Sequence, residues 1–124
     1  MSVGAAIALE SPHAARVIAA ASRRAEERGE PCFVISVVPP VTSERTSEEE
    51  ELVAHNVQLI TARNASQVVQ EADDVPSALL AVAKIFGIRT LFIGNARRRL
   101  LRRTVPEKLL RLAPPFEIVV VTRD

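Results

Sequence analysis

At 124 residues the chain has the length of one domain, and 48% apolar with 25% charged residues make it globular rather than disordered. A net charge of +1 excludes a broad basic surface, and four Phe with no Trp or Tyr offer little for base stacking, which disfavours nucleic-acid binding. A single cysteine, Cys32, excludes an internal disulfide and a cysteine metal centre.

Val3 to Leu9 is a continuous apolar run that predicts a strand buried on both faces. The turn signal Glu10-Ser11-Pro12 follows, with Ser11 as N-cap and Pro12 as first helical residue. Ala14, Val17, Ile18, Ala21 and Ala25 then recur at helical spacing until Gly29. Cys32 to Val38 is rich in β-branched residues and predicts a second strand closed by Pro39-Pro40, with Cys32 as a small core residue. A polar segment, Val41 to Ser47, precedes a capping box formed by Ser47 and Glu50, so the acidic run Glu48 to Glu51 is a solvated helix start. Leu52, Val53, Asn56, Leu59, Ile60 and Arg63 continue that helix, although Val57 to Thr61 also suits a strand.

Ser66 to Glu71 predicts a third strand around Val68 and Val69. Asp73-Asp74 then caps a helix to Phe86, with Val75, Leu79, Val82 and Phe86 on one face and Gly87 as its stop. Thr90 to Ile93 predicts the fourth strand. Gly94 to Thr104 carries five arginines. Thr104 caps a last helix bearing Val105, Leu109 and Leu112, Pro114-Pro115 ends it, and Phe116 to Thr122 is the fifth strand.

This alternation predicts an α/β fold, a doubly wound five-stranded parallel sheet with helices on both faces. Ligands of such sheets sit at the carboxyl ends of the strands, here Leu9-Glu10-Ser11, Val37-Val38-Pro39 and Gly94-Asn95. The arginine segment falls among them. A glycine, forked guanidinium donors and a helix start combine into a seat for a polyanion, against the alternative of a solvated basic turn.

Asp73-Asp74-Val75-Pro76-Ser77-Ala78-Leu79-Leu80, Leu91-Phe92-Ile93-Gly94, Arg102 to Leu110, and Ala113-Pro114 before Ile118 to Val121 together resemble the universal stress protein family. The resemblance covers almost the whole chain, 1–124, and implies strand order 3-2-1-4-5. Its arginine-rich loop looks most like the universal-stress-type domain of KdpD-type osmosensing kinases, and similar domains are appended to transporters. ATP-binding members carry Gly-x-x-Gly and, after a spacer, Gly-Ser/Thr. Here Gly94 is kept, Arg97 stands at the second glycine, and Arg103-Thr104 stands at the third after a shortened loop. Glu10 corresponds to the family's acidic residue after the first strand, usually Asp, and Val38 to the apolar position that packs on adenine. Losing two glycines removes backbone freedom that lets amides wrap a triphosphate, so the ATP motif is degraded. Arginine contacts suit another anionic nucleotide, a cyclic dinucleotide included.

No Ser/His/Asp set is evident, and Glu10, Asp73 and Asp74 lack metal-ligand spacing. His13 and His55 are surface or satisfied residues, and Gly-x-Gly-x-x-Gly does not follow the first strand. No run approaches the roughly 20 apolar residues of a membrane span, and Met1 to Leu9 lacks the basic start of a signal peptide. A cytoplasmic, non-enzymatic protein without direct membrane insertion is expected.

Two functions follow. The first is a nucleotide-sensing regulatory domain for ATP, AMP or a cyclic dinucleotide, using Leu9, Glu10, Ser11, Val38, Gly94, Asn95, Arg97, Arg103, Thr104 and Val105. The second is a ligand-free dimerisation and relay module of a sensor kinase or transporter, its homodimer formed through the apolar edge Phe116 to Val121. The strands at either end of the sequence suit a domain excised from a larger protein.

Overall fold

The computed structural model describes residues 1–41, 43–94, 105–112 and 114–122. Five strands, β1 (Ser2–Ala6), β2 (Cys32–Val38), β3 (Ser66–Glu71), β4 (Ile88–Gly94) and β5 (Glu117–Val121), alternate with four helices, α1 (Ala14–Arg28), α2 (Ser47–Ala62), α3 (Val75–Phe86) and α4 (Val105–Arg111). All four pairings are parallel and the order is β3-β2-β1-β4-β5, as expected from the sequence.

The central strand β1 is buried throughout, and its alternation divides the core in two. Val3 and Ala5 face a cluster with Val17, Ile18 and Ala21 of α1, Ile60 of α2, and Phe92. Ala6 faces the other side, where Leu79 and Val82 of α3 and Leu109 of α4 pack with Ile35, Leu91 and Ile93. Apolar residues on both faces are what a parallel sheet covered by two helix layers requires. Gly4 lies under Ile88 and Leu91, whose side-chain ends would have to shift to admit a Cβ. A Cβ there would fall 2.8 Å from Ile88 Cδ1 and 3.2 Å from Ile88 Cγ2.

The helix ends are set by local chemistry. Gly29 and Gly87 both take φ of +63° as left-handed C-caps, and β4 begins at once after Gly87, two residues before the expected Thr90. The N-terminal caps differ from expectation. The Ser11 hydroxyl accepts the His13 N–H (3.2 Å) and the Ser11 carbonyl accepts the Ala14 N–H (3.3 Å). Ser11 thereby closes a turn before α1, which starts only at Ala14. The capping box of α2 is Thr46 with Glu49, one residue ahead of the Ser47 and Glu50 pair. Thr-Ser followed by four glutamates offers the same box in two overlapping frames, and α2 takes the earlier one. The Val57 to Thr61 segment is helical, within α2.

Arg24 of α1 lies over the Phe92 ring (5.3 Å) and pairs with Glu117 (3.5 Å), while the buried Thr90 hydroxyl accepts from Arg28 Nη1 (3.1 Å). These contacts tie α1 to β4 and to the first residue of β5.

Gly4→Val should cost about 1–3 kcal/mol by overpacking against Ile88, read as a lower urea midpoint with unchanged slope. Burial pushes the Cys32 thiol up to about 11, which keeps it protonated near pH 8. A disulfide reagent at pH 8 should therefore label Cys32 only after guanidinium unfolding; rapid labelling of the folded protein would contradict its burial.

Candidate functional site

Two layers of helices diverge above the carboxyl end of the sheet and leave a cavity of about 300 Å³. Its sheet-side wall comes from Ala6 at the end of β1 with Ile7 and Ala8 just beyond it, Ile35 and Val37 of β2, Ile93 and Gly94 of β4, and Val121 and Thr122 at the end of β5. The first turns of three helices complete it: His13, Ala14, Arg16 and Val17 beside α1, Val75 and Leu79 of α3, and Val105 of α4. Most of these side chains are apolar. The polar ones are few and gather on the α1 side and at the end of β5.

The β1–α1 connection forms one wall, and α2 holds it from behind. The Asn56 side chain, 1% exposed, donates to the Leu9 carbonyl (2.8 Å) and the Ser11 carbonyl (3.2 Å). Arg45, just before α2, pairs with Glu10 (3.8 Å). On the open side, Arg16 Nη1 donates to the Thr122 carbonyl (3.2 Å), linking α1 to the last residues of β5 across the cavity wall.

The expected site residues separate into three sets. Ser11, Gly94 and Val105 line the cavity. Leu9 is turned into the α1–α2 core, Glu10 is engaged by Arg45, and Val38 stands at the end of β2 while its neighbour Val37 lines the cavity. Asn95, Arg97, Arg103 and Thr104 lie outside the described residues, but Gly94 and Val105, which flank that segment in the chain, both border the cavity. Gly94 has space for a Cβ, whose nearest neighbour would be Val17 Cγ2 at 3.5 Å, so its role here is not set by tight packing.

Sequence reasoning missed the apolar wall of Ile35, Val37, Val75 and Leu79, whose convergence depends on strand parity across distant segments. It also missed His13 and Arg16. Their spacing of three on a helix start was visible and places them on one face. Among the described residues no group of three His, Cys, Asp or Glu is placed to hold a metal ion, and no helix is long and apolar enough to cross a membrane.

No protein-family model matches the sequence, and no curated protein matches it. Solved structures do resemble this chain. A universal stress protein from Archaeoglobus fulgidus is 21% identical, with a TM-score of 0.70 over 97% of this chain and 92% of that one. A universal stress protein of the same organism solved in complex with dAMP is 19% identical, with a TM-score of 0.67 over 97% and 96%. A universal stress protein in complex with cAMP is 14% identical, with a TM-score of 0.72 over 99% and 98%. Identities of this size speak for architecture, and the architecture of this chain is the universal stress protein α/β fold.

Proposed function

We propose that this chain is a regulatory domain that binds an anionic adenine nucleotide in the cavity above the carboxyl ends of β1, β4 and β5. The observation that carries the reading is the chemistry of that cavity. An apolar wall suited to a flat heterocycle meets a polar rim of Ser11, His13, Arg16 and Thr122. Its volume, about 300 Å³, lies at the small end of small-molecule pockets and suits a mononucleotide or one nucleotide of a cyclic dinucleotide. Solved proteins of the same fold, in complex with dAMP and with cAMP, support the adenine class.

Arg97 and Arg103 supply phosphate contacts in this proposal, with Gly94, Asn95, Thr104 and Val105 as the neighbouring backbone and side-chain surface. The role is non-catalytic and cytoplasmic. The hydrogen bond between Ser11 and His13 runs from a backbone N–H, so it does not join the imidazole to the hydroxyl as base-activated nucleophiles require. ATP is the least favoured candidate, because two of the three glycines that wrap a triphosphate are replaced. AMP and cyclic di-AMP fit the arginine substitutions better.

A second reading, a homodimerisation and relay module within a kinase or transporter, is favoured by β5 as an outer strand with Val120 38% exposed. Sedimentation separates the two: a strict monomer that binds nucleotide supports the first alone.

Calorimetry with AMP, ATP and cyclic di-AMP should show binding of at least one, weakening as salt rises from about 50 to 500 mM because screening shortens. Ala8→Trp, at an exposed wall position, should abolish that binding, and Arg16→Glu should weaken it about tenfold, the equivalent of roughly 1.4 kcal/mol. No heat with any of the three ligands would overturn the reading.

A further inference from the structure

We infer that Asn56 is the positioning residue of this site, acting on the ligand through the β1–α1 connection rather than by contact. The inference rests on the nucleotide reading above. Asn56 lies on α2 and does not itself line the cavity, yet its amide nitrogen donates to both the Leu9 and Ser11 carbonyls. Those two carbonyls bracket the turn that presents Ala8, Ser11 and His13 to the cavity.

Beyond the buried Leu9 side chain, the turn is held by Ser11 N–H to the Ala8 carbonyl (3.0 Å), His13 N–H to the Ser11 hydroxyl (3.2 Å), Ala14 N–H to the Ser11 carbonyl (3.3 Å) and the partly exposed Glu10–Arg45 pair. Exposed pairs contribute little, whereas a buried donor of this kind is hard to replace. Fixing the Leu9 and Ser11 carbonyls toward α2 also directs two negative dipole ends away from an anionic ligand. In a trans peptide the N–H opposes the carbonyl, so the Glu10 N–H is held pointing away from Asn56. The predicted consequence is pre-organisation: the wall is set before ligand arrives, and the ordering cost of binding is lowered.

Asn56→Asp tests this, since it keeps the shape and removes the donors. Its new carboxylate would face two carbonyl oxygens, and burial raises its pKa. At pH 8 the variant should bind AMP or cyclic di-AMP, whichever the wild type binds, about fivefold more weakly, the size of one average buried hydrogen bond. At pH 5 the introduced carboxyl is protonated and donates one bond again, so the ratio of variant to wild-type affinity should recover. Glu10, His13 and Arg45, the charged or titratable groups nearest the turn, are common to both proteins and cancel in that ratio. Amide exchange without ligand should quicken over residues 8–13 in the variant and stay unchanged in β4.

Equal affinity of variant and wild type at pH 8, or a loss that ignores pH, would overturn the inference while leaving the nucleotide reading intact. A wild type that binds none of the probes would sink the nucleotide reading itself, and the inference with it. Should Asn56→Asp not fold, Asn56→Ser carries the same test: weaker binding together with faster exchange over residues 8–13 supports it, and wild-type affinity overturns it.

Discussion

Between β1 and β4 the chain leaves the sheet toward opposite faces. After β1 it rises into α1 on one side, and after β4 it proceeds to α4 on the other. Two neighbouring parallel strands whose connections part in this way cannot be covered by the same helix, and the space above their carboxyl ends stays open. The cavity is the direct consequence of strand order 3-2-1-4-5. Its lining follows from the same constraint, because it is drawn mainly from the carboxyl halves of the strands and the amino-terminal turns of the helices.

Small residues make that arrangement compact. Ser2, Gly4, Ala5 and Ala6 bring both helix layers close to the central strand, and at Gly4 the neighbouring Ile88 fills the volume that a side chain would need. Larger residues enter at Ile7 and Leu9, beyond the strand, where the chain turns and two roles part. Ile7 faces the cavity, whereas Leu9 anchors the turn in the α1–α2 core. The turn that follows, at Leu9 to Ser11, is bonded to α2 through Asn56, so the wall of the cavity is fixed from outside it.

Much of the fold was legible because the signals were local. β2 and β3 occupy the predicted residues, since Pro39-Pro40 and the polar flanks of Ser66 to Glu71 mark their limits. β1 was predicted too long: apolarity runs on to Leu9, but pairing with β2 and β4 ends at Ala6. Burial without pairing leaves no trace in hydropathy. The same blindness affected the cavity. Gly94 and Ser11 stood out by residue type, while Ile35, Val37 and Leu79 look like any core residue until the strands are laid side by side. Asn56 read as one more position on a helix, because its partners are backbone carbonyls 45 and 47 residues away.

The proposed nucleotide would occupy the cleft where the connections of β1 and β4 diverge. Two-dimensional NMR of ¹⁵N-labelled protein during titration with AMP or cyclic di-AMP tests this most directly. Shifts concentrated at Ala8, Ser11, His13, Gly94, Val105 and Thr122 are expected from this placement. Shifts confined to the outer faces of α2 and α3, or to the amino-terminal edge near Arg28 and Thr90, would contradict it.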